Sequence, residues 1–224
     1  TDDVLIERYL INNNSKPNVK LLDVVTEQLL NEKYLAFNIK LLHEKYIKLI
    51  NELELEKLYK TIEMPLSLVL FKMEKSGFKL DRNELLLLDE KYEKELADLT
   101  KEIYELAGTE FNINSPKQLG EILFDKLKLV AYNNKKKSTN IDVLTQLESD
   151  HPIINKLIRY RKISKLYSTY VKAFQNLMDS NNDKIYTLFN QTLTSTGRLS
   201  SSEPNLQNIP VRTDEGKNLR KVFI

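Results

Sequence analysis

The stretch Asn190-Gln-Thr-Leu-Thr-Ser-Thr-Gly-Arg-Leu-Ser-Ser-Ser-Glu-Pro-Asn-Leu-Gln-Asn-Ile-Pro-Val-Arg212 decides how the chain is read. Its apolar residues are sparse and lack the three-to-four spacing of a helix face. Hydroxyls, amides and Arg198 crowd around Gly197, Pro204 and Pro210. Such a segment is expected to follow an irregular path, neither a helix nor a plain core strand. Polar groups at this density are either solvated or aimed at a polar ligand. Composition alone favours a surface loop of Ser, Thr, Asn and Pro. The chemistry offers another reading. Arg198, Asn205, Gln207 and Asn208 are donors, and Arg198 and Arg212 also carry charge. In the minor groove of DNA every base pair shows purine N3 or pyrimidine O2 acceptors at nearly the same places. Donors set against that groove test the shape of a pair without reading its identity.

The 224 residues suffice for one large or two modest domains, and 41% apolar residues suffice for a core. There is no cysteine, so disulfides, thiolate zinc sites and cysteine nucleophiles are excluded. No apolar run is long enough to cross a bilayer, and Thr1-Asp2-Asp3 does not begin a signal peptide. The expectation is therefore a soluble, intracellular chain that avoids membranes. Only five glycines, with abundant Leu, Lys and Glu, favour a mainly α fold. A net charge of +2 argues for nothing by itself. Its distribution says more. His151 to Met178 holds no acid but carries Lys156, Arg159, Arg161, Lys162, Lys165 and Lys172, while acids concentrate in 46–105. That segregation predicts a polyanion-binding face with a solvated back.

Local signals place the elements. Leu5, Ile6, Tyr9, Leu10 and Ile11 predict a first amphipathic helix, and Asn12 to Pro17 a loop. Helices are expected over Leu21–Leu30 and Tyr34–Lys60. Pro65 suits a first helical turn, with Leu66, Val69, Leu70 and Met73 as the apolar face and Gly77 as the stop. Asp81 to Glu84 has capping-box spacing. Behind it Leu85, Leu88, Tyr92, Leu96, Leu99, Ile103 and Leu106 form a long stripe ended by Gly108. Ser115 and Pro116 predict another helix start, and Ser138 or Thr139 a cap for a further short helix. Asn133 to Thr139 reads as a basic loop. A second long helix opens at His151-Pro152, with Arg161, Lys165, Ser168 and Lys172 on one face. A turn at Ser180–Asp183 precedes a strand expected over Lys184–Leu193, and Val222-Phe223-Ile224 begins another.

Several of these segments share an order of residues. Thr196-Gly-Arg-Leu-Ser-Ser201, Pro204-Asn-Leu-Gln-Asn-Ile-Pro210 and Arg212 together resemble the signature of family A DNA polymerases, the bacterial DNA polymerase I group. Pro65-Leu-x-x-Val-Leu-x-x-Met-Glu-x-x-Gly77 and Tyr160-Arg-x-x-x-Lys-Leu-x-Ser-Thr-Tyr170 extend the resemblance through most of the chain. It implies three parts: the end of a 3′-5′ exonuclease-type domain over 1–62, the thumb and the helix leading into the palm over 63–183, and the start of the palm over 184–224. The fold it implies has long antiparallel thumb helices, a short-helix tip, a few palm strands and a helical exonuclease remnant.

By the same resemblance, Arg198 meets the minor groove near the primer terminus, where a polymerase must test pair shape. Asn205, Gln207 and Asn208 face the duplex nearby, and Arg212 meets a primer phosphate. Arg161, Lys165, Ser168, Thr169 and Tyr170 lie along the duplex. Asn112, Asn114, Ser115, Lys137, Ser138 and Thr139 form the tip. Implied partners are double-stranded primer-template DNA and, for the parent enzyme, dNTP with Mg²⁺. The implied setting is a monomer in the bacterial cytoplasm, associated with the nucleoid. The carboxylate blocks that hold the catalytic metals are not found in these 224 residues, so no catalytic residue is assigned and the chain alone is expected to be inactive. Asp3 falls where the family's exonuclease carries a metal-binding aspartate, though a helix N-cap is the simpler role. The family's later motif, Tyr, three residues, Asp, here reads Tyr34-Leu-Ala-Phe-Asn38. An amide is a poor substitute for a carboxylate on Mg²⁺, so proofreading is expected to be lost. A standalone duplex-binding module and an exonuclease remnant remain the alternatives.

Overall fold

The computed structural model describes residues 2–12, 19–28, 30–131 and 137–224. They divide into two compact units: Thr1–Leu80 with Met178–Gly216 and Ile224, and Asp81–Leu177 with Lys217–Phe223.

In the first unit, helix α1 (Val4–Ile11) starts at Asp3, whose Oδ1 accepts from Leu5 N at 2.8 Å and Ile6 N at 3.3 Å. This cap satisfies amides that have no partner inside the helix. Helix α2 (Leu21–Glu27) and a 3-10 turn (Glu32–Tyr34) lead to α3 (Leu35–Glu52), which packs along α1. Val4, Val24, Val25, Leu42 and Tyr46 form one buried cluster; Ile6, Ile50 and Tyr59 form another. Helix α4 (Glu56–Leu58) runs through a wider π-type turn (Tyr59–Glu63) into α5 (Met64–Ser76). Gly77 ends α5 at φ +66°, where an added Cβ would also stand 2.8 Å from the Tyr186 ring. Strand β1 (Phe78–Lys79) then pairs antiparallel with β2 (Lys184–Ile185), Phe78 opposite Ile185. Strand β3 (Leu188–Asn190) pairs antiparallel with β4 (Ser200–Ser202), Leu188 opposite Ser202.

In the second unit, α6 (Arg82–Ala107) is opened by Asp81, which accepts from Asn83 N at 2.9 Å and Glu84 N at 3.1 Å. Gly108 closes it in the left-handed region at φ +64°. Helix α7 (Pro116–Gly120), a wide turn (Glu121–Lys126) and α8 (Ile141–Gln146) follow. Helix α9 (Pro152–Leu166) continues through a wide turn (Tyr167–Lys172) into α10 (Ala173–Leu177). α6 and α9 pair antiparallel: Lys172 meets Asp89 at 2.8 Å, Arg159 meets Glu95 at 2.5 Å, and Lys156 meets Glu102. Partner numbers rise on one helix as they fall on the other. Leu85, Leu88, Tyr92, Leu99 and Ile103 turn into the unit as the stripe predicts. At the far end Leu119, Leu123, Leu144 and Leu157 are fully buried with Ile103. Burying each such leucine contributes roughly 1.5–3 kcal/mol. Helix α11 (Asp214–Lys221) carries Leu219, and with Val222 it buries the apolar residues of that segment.

The mainly α fold is as expected, and several local expectations change. The strand foreseen over 184–193 is two strands, because the chain exchanges partner β1 for partner β4 between Ile185 and Leu188. The strand foreseen at 222–224 is a single bridge at Phe223 after α11, with Ile224 N donating to Lys79 O at 3.1 Å. On α5 only Leu70 is buried, while Val69 and Met73 are exposed. The cap of α8 is Asn140, not Ser138 or Thr139: its Oδ1 accepts from Val143 N at 3.0 Å. The helix expected over Leu21–Leu30 ends at Glu27, and α3 stops at Glu52 before Glu54 turns to φ +58°. The loop readings at 13–17 and 133–136 lie outside the described residues. Among the described residues, no helix is long and apolar enough to cross a membrane.

Candidate nucleic-acid interface

The 190–212 stretch is irregular, as its composition demands, but it is held from within. Ser201 is buried, and its Oγ accepts from Leu206 N at 3.0 Å. Asn205 Oδ1 accepts from Gln207 N at 3.1 Å and Asn208 N at 3.2 Å. The buried Thr187 hydroxyl, on the neighbouring segment, reaches Ser202 O at 2.9 Å and Pro204 O at 2.7 Å. The Glu203–Pro204 peptide is cis. Ile209 is buried beneath the turn. Gln191 Nε2 donates to Glu63 O at 2.8 Å and to its carboxylate at 2.6 Å. Phe189 N donates to Glu74 Oε1 at 2.6 Å. With these acceptors filled by backbone amides, the amide donor end of Asn205 has no partner among the described residues.

Arg198, Gln207, Asn208 and Arg212 are all exposed, and Asn205 is half-buried. Neither guanidinium, of Arg198 or Arg212, makes a bond among the described residues. Gly197 at φ +74° sets the turn before Arg198, and nothing lies within 4 Å of where its Cβ would be. The glycine is required by conformation and not by space. The signature therefore presents its donors outward on a turn whose own polar groups are satisfied.

In the second unit the expected residues divide. Lys165, Ser168 and Thr169 are exposed, with Ser168 Oγ donating to Ser164 O at 2.8 Å. Tyr170 is 4% exposed and packs edge-on against Phe174, so its ring is withdrawn from any outer surface. Arg161 is half-buried: its guanidinium donates to Thr139 O and, at 3.1 Å, to Thr139 Oγ1. Burial pulls the Arg161 pKa below its ordinary value, and Thr139 is itself buried. Arg161 thus ties the 137–140 segment to α9. The basic face expected on this helix is smaller than its sequence suggests, because Lys156, Arg159 and Lys172 bind acids of α6. Burial opposes ionisation of Asp89, yet hydrogen bonds from Lys172 and Gln175 hold its carboxyl below the usual range. The same hydrogen bond raises Lys172.

The remaining expected residues gather near α7 and α8. Ser115 caps α7, its side chain accepting from Gln118 N at 3.4 Å. Asn112 Oδ1 accepts from Asn114 N at 3.0 Å, and Asn114 Nδ2 donates to Tyr160 at 3.3 Å. Lys137 reaches Asp125 at 2.5 Å, and Ser138 Oγ accepts from Asn140 N at 3.4 Å. Lys137, Ser138, Thr139 and Arg161 line an open cleft of about 730 Å³ with Pro116 and Lys117.

Among the described residues, Asp3 and Asn38 do not form a pair of metal ligands. Asp3 directs its carboxylate at the α1 amides. Asn38 is 3% exposed and donates to Asn31 O at 2.7 Å. Nearby, Asp2, Glu7 and His43 bring ligand-type atoms within 4.8 Å of one another. His43 Nδ1 stands 2.6 Å from Glu7 Oε1, and Tyr59 Oη donates to that oxygen at 2.8 Å. Ligands around a zinc-class ion sit about 3.3 Å apart, given bonds near 2 Å. The cluster is therefore a hydrogen-bonded network, and burial with the Glu7 contact pushes the Tyr59 phenol well up.

Sequence reading missed Tyr9, Glu63, Glu74, Thr187 and α11. Only α11 carried a local signal, acids in its first turn and bases in its last.

Fold and exposed donors define a class: a mainly helical chain whose 190–212 turn carries exposed polar and cationic side chains. The sequence pattern of DNA polymerase family A matches residues 82–224, and the chain belongs to that family. DNA polymerase I of Bacillus subtilis is 43% identical over 90% of the chain, which spans 23% of that relative. DNA polymerase I of Lactococcus lactis is 48% identical over 86% of the chain and 22% of the relative. The chain thus spans about a quarter of the length of these relatives. The POL domain of Pol1 from M. smegmatis, in complex with DNA primer-template and dNTP, superimposes with a TM-score of 0.88 at 30% identity, over 99% of this chain and 41% of that one.

Proposed function

We propose that this chain is the duplex-gripping part of a template-directed DNA polymerase I. Its division is an exonuclease-type remnant over 1–62, a thumb over 63–183 and the start of the palm over 184–224. Arg198, Asn205, Gln207 and Asn208 meet the minor groove near the primer end, and Arg212 meets a phosphate. Lys165, Ser168 and Thr169 lie along the duplex, and Asn112, Asn114, Ser115, Lys137 and Ser138 form the tip. Arg161 and Thr139 hold the tip in place, and Tyr170 packs beneath. The parent enzyme uses Mg²⁺ and dNTP; the residues present here bind and orient duplex without forming the metal site.

The observation that supports this reading is the outward set of unpartnered donors on a turn whose own polar groups are satisfied. Neutralising phosphates with cations releases counterions, so log K should fall with log salt by about 0.9 per phosphate contacted. The test is fluorescence anisotropy of a labelled primer-template hairpin titrated with the chain at several salt concentrations. A slope of several units supports the proposal; binding indifferent to salt, or equal binding to a neutral polymer, refutes it. Incorporation of dNTP by the purified chain would contradict the division of labour.

A further inference from the structure

Something must hold the 194–198 turn, since the Arg198 side chain makes no hydrogen bond among the described residues and Gly197 stands in open space. Two hydrogen bonds among those of the turn lead to it from α1. Tyr9 Oη donates to Thr194 O at 2.7 Å. Thr194 Oγ1 then donates to Arg198 O at 2.6 Å. Tyr9 is 6% exposed on α1, so the first donor is a fixed point and not a solvated side chain. It lies 185 residues from its acceptor, in the segment where Asp3 and Asn38 do not pair as metal ligands. Val19 and Lys20, from the same segment, line a cleft with Asn190, Ser201 and Asn205.

We propose that Tyr9 is a positioning residue for Arg198, and that the helical 1–62 segment serves as a buttress for the minor-groove donors. This rests on the proposed role of Arg198. A hydrogen bond weakens steeply when its angle or distance drifts. A turn freed from Tyr9 would swing about Gly197 and lose the alignment that distinguishes a well-formed terminal pair from a distorted one. Phosphate contacts elsewhere do not pass through this turn, so the affinity for duplex as such would persist.

The experiment compares the 224-residue chain with Tyr9→Phe, Thr194→Val, Arg198→Ala and the Tyr9→Phe/Arg198→Ala double variant. Each is titrated with hairpins carrying a matched or a mismatched primer end, at several salt concentrations, and its thermal midpoint is recorded. The parent is expected to favour the matched end by about five- to a hundredfold. Tyr9→Phe and Thr194→Val should each lose about three- to tenfold of that ratio, with the salt slope unchanged and the midpoint lowered by no more than about 5 °C, and the double variant should equal Arg198→Ala. A full ratio in Tyr9→Phe beside a lost one in Arg198→Ala overturns the inference and leaves the role of Arg198 standing. A full ratio in Arg198→Ala overturns that role and the inference with it. Additive losses in the double variant, or a changed salt slope or a midpoint lowered by more than about 5 °C in Tyr9→Phe, show action by another route and also overturn it.

Discussion

Replacing Asn38 with Asp would supply the carboxylate that the resemblance to an exonuclease-type motif calls for, and the structure predicts damage. The side chain is 3% exposed, and its Nδ2 donates to Asn31 O at 2.7 Å. A carboxylate there would set oxygen against oxygen with little water to relieve it. A protonated carboxyl can donate to the same carbonyl, so the folded state would hold the proton. The unfolded pKa is about 3.9, and buried carboxyls rise by as much as 3–5 units. A rise of about 2 units corresponds to about 2.7 kcal/mol at pH 7. The folded pKa lies above the unfolded one, so between them the folded state binds the extra proton. Stability therefore falls by about 1.4 kcal/mol per pH unit as pH climbs from near 4 to the folded pKa, then levels off. Urea unfolding of parent and Asn38→Asp at matched pH isolates this effect, because other groups cancel in the difference. The variants should be nearly equal near pH 4 and differ by about 3 kcal/mol at pH 7, with or without Mg²⁺. A difference near zero across the range would refute the reasoning, as would Mg²⁺-dependent stabilisation or 3′-end trimming.

Three further outcomes follow from packing and charge. Phe174 is fully buried between Tyr170 and Phe223, with ring centroids 5.9 and 5.6 Å away; Phe174→Ala should cost about 3–5 kcal/mol in denaturant unfolding. At Gly216 an added Cβ would stand 2.1 Å from Pro210 O, a backbone atom. Gly216→Ala should thus shift the end of the signature, seen as a lowered thermal midpoint together with a reduced preference for matched primer ends. Lys172→Met removes the cation that lowers the Asp89 pKa. A depressed carboxylate pKa contributes stability above the unfolded value and loses it as pH falls through the folded one. The deficit of the variant should shrink as pH drops below about 4, measured by urea midpoints.

Features fixed by neighbouring residues were legible in the sequence. Asp81 and Ser115 cap their helices, and Gly77 and Gly108 end theirs, because each acts on amides or dihedrals a few residues away. The apolar stripe of α6 faces the interior for the same reason. What depended on distant partners was not legible. Asp89 and Lys172 are 83 residues apart, so the charge segregation read as a polyanion face turned out in part to join two helices. Arg161 was read as facing outward, and only the fold brings Thr139 against it. The break between β2 and β3 follows from a change of pairing partner, which alternation along one strand does not encode. At the candidate site, residue types offered Arg198, Asn205, Gln207 and Asn208 only as donors; their order, through the family resemblance, singled them out, and all but the half-buried Asn205 are exposed. Tyr9 carried no such mark, being one aromatic residue among several on an amphipathic helix.

The central claim is that the guanidinium of Arg198 reads an acceptor common to every base pair. It is tested most directly by removing that acceptor from the DNA. A primer-template whose terminal purine has N3 replaced by carbon keeps its Watson–Crick edge and its phosphates. The parent chain should bind it more weakly than the unmodified duplex by about 1–3 kcal/mol, while Arg198→Ala should bind both alike. Equal binding of the two duplexes by the parent chain would contradict the account.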